Sequence, residues 1–295
     1  MSESHSSIRS RLAPTPSGFL HIGNVLSFVL TWIFVRQNNG HLHLRIDDLD
    51  HERVRPQYVD NIFEILEWLG LSYDSGPSGS DDFYKNHSQS LRMSMYKEGL
   101  DALKNSDLLF SCQCTRKDIG SQVYLGTCRH DKALDFQKNT RIEVSDKNVG
   151  WLDELRGTMK IDLAKEMGDF VVWRKNGLPS YQLASVIDDI EFGTNCVIRG
   201  AGLVQSTAAQ IYLSRFLSKN TFAENQFLHH PLITFNDTKM SKSQSHPGIL
   251  EQFKSPKEVF LYLGGEFGLA PDQSENLDLL REYFSLENYN TKVHV

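Results

Sequence analysis

Four cysteines in 295 residues are too few for a disulfide-stapled scaffold. The chain also lacks any apolar run long enough to span a bilayer, which excludes a protein built on membrane-spanning helices. Its opening, Met1-Ser2-Glu3-Ser4-His5-Ser6-Ser7, has no basic segment followed by an apolar one, so no secretory leader is expected. Positive charge is in deficit too: a net charge of -6 argues against coating nucleic acid indiscriminately, while leaving room for a local basic track. Internal repeats and low-complexity tracts are absent. What is present, 40% hydrophobic residues and 17 Phe, suits a globular chain with a substantial core, and the length suggests about two domains. Few cysteines and no leader favour a reducing compartment, the cytoplasm, and a monomer is expected.

The first fifty residues have a clear order. Residues 8 to 14 read as a strand, and Pro14-Thr15-Pro16-Ser17-Gly18 as a turn. From His21 to Arg36 the run is apolar on more than one face (Val25, Leu26, Phe28, Val29, Leu30, Trp32, Ile33, Phe34), as in a buried helix. Asn38-Asn39-Gly40 ends it, and His41 to Asp47 alternates like a strand. Strand, turn, helix and strand make a βαβ unit, so the fold class is α/β with a parallel sheet. Ligands in such sheets lie beyond the carboxyl ends of the strands, here the loop from Pro14 to Gly23. Helices are predicted over Pro56 to Leu69 and about Gln89 to Asn105, and an insertion over 110–165 that includes the run Thr140 to Val144. Strand character resumes at Asp169 to Arg174, with a helix at Tyr181 to Val186 and a strand at Asn195 to Arg199. A helix over Thr207 to Leu217 and a strand over His229 to Thr234 follow.

Two short motifs can handle phosphate. His21-Ile22-Gly23-Asn24 falls at a helix N-terminus, where free N–H groups and the helix dipole attract anions, and Gly18 and Gly23 allow close backbone approach. Lys239-Met240-Ser241-Lys242-Ser243 offers two ammonium groups and two hydroxyls, suited to a triphosphate while charge builds on departing pyrophosphate. A third cluster is of another kind: Cys112, Cys114 and Cys128, with Tyr124 and His130 nearby, supply three thiols and a choice of fourth donor for a tetrahedral zinc ion. Donor chemistry alone favours His130. Cys196, in an apolar strand, reads as core.

Arg11-Leu12-Ala13-Pro14-Thr15-Pro16-Ser17-Gly18-Phe19-Leu20-His21-Ile22-Gly23 resembles the opening of the glutamyl-type class I aminoacyl-tRNA synthetases. Arg45-Ile46-Asp47-Asp48-Leu49-Asp50, Val197-Ile198-Arg199-Gly200 and the lysine loop follow in that family's order, so the resemblance spans about residues 8 to 245. It implies a Rossmann-type nucleotide-binding catalytic domain over 8–109 and 166–245. A zinc-bearing subdomain would be inserted over 110–165, and a short helical segment would close the chain over 246–295. It implies Tyr124 rather than His130 as the fourth zinc ligand, beside Cys112, Cys114 and Cys128. It assigns L-glutamate to Arg11, Ala13, Thr15, Asp47, Tyr181 and Arg199, with Asp47 on the ammonium. ATP, brought with Mg2+, falls to His21, Gly23, Asn24, Lys239, Ser241 and Lys242. His21, Lys239 and Lys242 would be catalytic. From the residues themselves, Arg11 and Arg199 suit a clamp on an amino acid with two carboxylates, because a guanidinium presents a planar donor fork.

A full-length family member continues past the lysine loop into a helical anticodon-binding region; this chain runs only to Val295, so no such domain is expected. The short members that share this ending and the cysteine cluster transfer glutamate to queuosine in the anticodon of tRNA(Asp), which makes that tRNA the expected partner. Arg116, Lys117, Arg129 and Lys132 of the insertion are candidates for contacting it. The chain departs from the family at Asp47, where Glu is usual, and at Gly202, where an acid commonly follows the Arg-Gly pair. Two other readings stay open. One keeps adenylation but changes the acceptor to a tRNA 3′ end, a carrier protein or a small amine. The other is a catalytically inactive nucleotide- or RNA-binding paralogue, against which Lys239 and Lys242 both count.

Overall fold

The computed structural model describes residues 7–120, 123–124, 126–145, 148–235, 238–239 and 248–293. In chain order its principal elements are β1 (Arg9–Leu12), α1 (Ile22–Gln37), β2 (His41–Leu44), α2 (Pro56–Trp68), α3 (Met93–Lys104), β3 (Leu109–Cys112), β4 (Asn139–Ile142), β5 (Val149–Asp153) and β6 (Gly157–Ile161). There follow β7 (Phe170–Trp173), α4 (Tyr181–Glu191), β8 (Cys196–Gly200), α5 (Val204–Ser214), β9 (Gln226–His230), α6 (Pro256–Phe267), α7 (Leu277–Tyr283) and α8 (Leu286–Val293). The contacts divide the chain into two units. One is 1–89, 196–201 and 228–295; the other is 90–195 and 202–227. Among the described residues no helix is long and apolar enough to cross a membrane.

In the first unit β1 and β2 run parallel, with Arg9 opposite His41 and Leu12 opposite Leu44. The α1 helix that joins them is buried along its length because Ile22, Val25, Leu26, Phe28, Val29, Leu30, Trp32, Ile33 and Val35 leave no polar stripe. β8 lies against β1, where Ser10 Oγ donates to the Cys196 carbonyl at 2.8 Å, and β9 neighbours β8. The last turn of α1 is tied to the C-terminal helices by Gln37 Nε2, which donates to the carbonyls of Arg281 at 2.7 Å and Phe284 at 2.8 Å. Those helices close on an aromatic cluster, with Phe267 5.1 Å from Phe284 and 5.5 Å from Tyr289.

The second unit carries an antiparallel sheet in the order β3-β4-β7 and the β5-β6 hairpin, whose first strand pairs in parallel with the start of β9 at Asp153 and Phe227. Here α4 extends past its expected end at Val186 to Glu191. One acid that discourages a helical reading is paired: Asp188, fully buried, accepts from Arg92 Nε at 3.0 Å and Nη2 at 3.2 Å and from Tyr96 Oη at 2.9 Å. The strand expected at His229 to Thr234 starts and ends earlier, because Pro231 has no N–H to continue a ladder beyond His230.

Candidate active site

The parallel pairing continues past the strands. Arg45 N donates to the Leu12 carbonyl and Asp47 N to the Pro14 carbonyl, both at 2.9 Å. This lays the 13–15 loop alongside Asp47 at the carboxyl end of the sheet, where α/β folds hold their ligands. Arg11 and Arg199 are buried at 5% exposure each, while Ala13 is partly buried and Thr15 exposed. Arg199 Nε donates to His229 Nε2 at 3.4 Å. Asp47 is held by Arg45, whose Nε donates to Oδ1 at 2.7 Å and Nη2 to Oδ2 at 3.1 Å. Asp48 is committed elsewhere, accepting from Ser88 Oγ at 2.6 Å and Gln89 N at 2.8 Å.

His21 is the N-cap of α1. Its Nδ1 accepts from Gly23 N at 3.1 Å, and its own N–H donates to Asn24 Oδ1 at 3.2 Å. This reciprocal box satisfies donors that a helix start leaves open. It also fixes chemistry: with Nδ1 accepting, the neutral ring carries its proton on Nε2, which becomes a directed donor. Gly23 serves by being small, since a Cβ there would stand 3.1 Å from the His21 ring. One turn on, Ser27 Oγ lies 2.6 Å from Nε2 of the buried His230, whose Nδ1 donates to the Pro231 carbonyl at 2.8 Å. The imidazole thereby ties α1 to the end of β9.

In the second unit the three cysteines converge: Cys112, Cys114 and Cys128 have their sulfurs within 4.8 Å of one another. Cys114 and Cys128 Sγ are 3.6 Å apart, against about 3.8 Å for two thiolates on one tetrahedral ion at 2.3 Å. Tyr124 Oη stands 3.5 Å from Cys112 Sγ and accepts from Cys128 N at 2.8 Å. His130 is exposed and outside the cluster. Gly168 has φ 64, and its lack of a Cβ lets the chain press against the Tyr124 carbonyl, which accepts from Asp169 N at 3.1 Å. Burial, aided by Cys128 and Cys112, pushes the Cys114 thiol up to about 11. At Cys112 burial is outweighed by hydrogen bonding from Tyr124 and Arg141, and the thiol lies below its usual value. Burial and both neighbouring sulfurs raise the Tyr124 phenol. Three sulfurs and one oxygen at these separations could hold a tetrahedral metal ion.

Residues 7–135 and 128–277 match the family model for the catalytic domain of class I tRNA synthetases (E and Q). The chain belongs to this family. Glutamyl-Q tRNA(Asp) synthetase of Neisseria gonorrhoeae is 36% identical over 287 residues, covering 92% of this chain and 92% of its own. Glutamate–tRNA ligase 1 of Petrotoga mobilis is 34% identical over 261 residues, which are 87% of this chain and 55% of the ligase. Among solved structures, the glutamate–tRNA synthetase of Elizabethkingia anophelis superposes with a TM-score of 0.77 at 22% identity, over 96% of this chain and 66% of that one.

Other sequence-derived residues of this class I synthetase chain fall as follows. Tyr181 opens α4 in the second unit, 40% exposed, after the N-cap Ser180. Gly202 lies exposed in a short turn. The Lys239 backbone pairs with Thr234 in a two-residue ladder, whereas Ser241 and Lys242 lie outside the described residues, as does the Lys239 side chain. Of the basic residues considered for tRNA, Arg129 is held by Asp169 at 2.7 Å and Lys132 by Glu143 at 3.2 Å, while Lys117 is exposed. The Arg116 side chain is not among those described. Residues missed by sequence reasoning are Arg45, Ser27, His229 and His230. Arg45 had a signal in its spacing, since residues two apart on an extended segment share a face. The Ser27–His230 pair spans 203 positions and had none.

Proposed function

We propose that this chain activates L-glutamate with ATP and transfers the glutamyl group to queuosine in the anticodon of tRNA(Asp). The observation that carries this reading is the likeness to the Neisseria enzyme over 92% of both chains, combined with buried Arg11 and Arg199 in a strand-end site. A carboxylate oxygen of glutamate attacks the α-phosphorus of ATP in line; the bond to the bridging oxygen breaks, leaving glutamyl-adenylate and pyrophosphate. Arg11 and Arg199 bind the two carboxylates and Asp47 takes the ammonium, with Ala13, Thr15 and Tyr181 as further glutamate contacts by the family's pattern. His21 donates its Nε2–H to phosphate oxygen beside Gly23 and Asn24, and Lys239, Ser241 and Lys242 stabilise the charge that builds on pyrophosphate. Mg2+ accompanies ATP and neutralises phosphate charge. A cyclopentenediol hydroxyl of queuosine then attacks the adenylate carbonyl, giving an ester and AMP.

In this reading 8–109 and 166–245 form the catalytic domain and 110–165 an inserted subdomain, with 246–295 as a helical appendage. Cys112, Cys114, Tyr124 and Cys128 hold a structural zinc ion that pins the loop between β3 and β4. The enzyme works as a monomer in the cytoplasm. The test is transfer of radiolabelled glutamate to tRNA(Asp) with and without queuosine: only the queuosine-containing tRNA should be labelled, and equal labelling of both would overturn the assignment.

A further inference from the structure

Arg141, on β4, is a buried cation without a matching anion. It is 8% exposed; its Nη1 donates to the Asp169 carbonyl at 2.7 Å, and its Nε is buried with no hydrogen-bond partner. The acids nearby are spent on other cations. Asp169 gives both carboxylate oxygens to Arg129, at 2.7 and 2.8 Å, and Glu143 meets Arg129 at 3.4 Å and Lys132 at 3.2 Å. Among the described residues no carboxylate forms an ion pair with Arg141. A guanidinium cannot escape this position by losing its proton, and an isolated buried charge is among the least tolerable features of a protein interior.

What the guanidinium does face is the cysteine cluster. Its Cζ stands 4.1 Å from the centroid of the Tyr124 ring, and that ring's hydroxyl lies 3.5 Å from the Cys112 sulfur. Three thiolates and a phenolate around a divalent ion leave two negative charges in the same buried region.

We propose that Arg141 is the counter-ion of the metal centre, balancing the negative charge the cluster acquires when it binds zinc. This rests on the reading that the cluster holds zinc, and wild-type protein tests that separately: failure to take up one equivalent of zinc defeats the metal assignment whatever Arg141 does. The proposal makes opposite demands on the two forms of the protein. In the loaded form the guanidinium is compensated by the cluster's negative charge, whereas in the metal-free form it has the Asp169 carbonyl and the Tyr124 ring but no carboxylate partner among the described residues.

The experiment is a chelator competition for zinc, with thermal unfolding of the metal-free and loaded forms, on wild type, Arg141→Met and Arg141→Lys. Arg141→Met should bind zinc about 10- to 100-fold more weakly, the range for losing a group that supports metal ligands. Its metal-free form should be no less stable than wild type. Arg141→Lys, which keeps the charge, should lose less than about tenfold. Unchanged zinc affinity in Arg141→Met overturns the proposal, as does equal destabilisation of both its forms, the mark of a packing role. If Arg141→Met does not fold, Arg141→Lys decides: a zinc-affinity loss as large as 100-fold with the charge retained contradicts the assignment.

Discussion

Arg45 grips Asp47 through both carboxylate oxygens, at 2.7 and 3.1 Å, with the two side chains only 2% and 8% exposed. The pair stands where the sheet delivers its ligand loop, so Asp47 is oriented before any substrate arrives. The Asp47 carboxylate lies within reach of the guanidinium two residues earlier. Removing one member of a buried ion pair costs about 3 to 5 kcal/mol, because the other charge stays behind. Asp47→Ala should lose that order of stability in urea denaturation; a loss below about 1 kcal/mol would show that the pair is not a buried one in solution.

His21 combines two duties that a single substitution can separate. Asn is as good an N-cap as any residue, so His21→Asn should hold the helix start to within about 0.5 kcal/mol. It removes the Nε2–H that the proposed mechanism sets on phosphate, and loss of one such donor lowers rates by about 10²- to 10³-fold. Glutamate-dependent ATP–pyrophosphate exchange should therefore collapse while thermal stability holds. Parallel loss of both would reduce His21 to a capping residue.

Acid stability should depend on Asp74. Burial alone would raise its carboxyl, but the Arg36 guanidinium at 2.8 Å and the Leu42 N–H at 2.7 Å outweigh burial and hold it below the ordinary carboxylate range. A group whose folded value is depressed contributes stability that is present above its unfolded value, about 3.9, and is lost as pH falls through the folded one. Wild type should lose stability more steeply than Asp74→Asn below about pH 4, and the two curves should run parallel near neutrality. Because Asp74 is partly exposed, the difference is modest and shrinks in high salt.

Much of this was legible in the chain itself, for identifiable reasons. The α1 helix, expected over 21–36 and found over Ile22–Gln37, announced itself through apolar residues on every face and a Pro- and Gly-rich turn before it. The parallel β1–β2 pair followed from that order. The β5-β6 hairpin did not stand out, because β5 turns Leu152 outward at 66% exposure and buries Asp153, against the apolar-in pattern a strand is read by. Charge pairs distant in sequence were invisible. Asp188 is reconciled with a helix interior by Arg92 from outside that helix, and the placement of Arg141 over the Tyr124 ring is seen only in the structure. The lysine loop is the reverse case: five residues carry a specific expectation, and residues 240 to 243 lie outside the described ones.

Metal uptake should discriminate between the two candidate fourth donors. Tyr124→Phe should weaken zinc binding, as loss of a ligand must, whereas His130→Ala should leave zinc content unchanged because His130 is exposed and outside the cluster. Metal analysis of the purified variants checks this, and the reverse pattern would place His130 in the coordination sphere.

The most direct measurement is ATP–pyrophosphate exchange with glutamate, glutamine and aspartate compared as substrates. If the buried Arg11 and Arg199 take the two carboxylates as proposed, the enzyme should support exchange with glutamate and reject glutamine by at least about 10²-fold, since the amide would set N–H groups against cations. Exchange with glutamine at a rate comparable to glutamate, or no exchange with any of the three, would contradict glutamate activation by this chain.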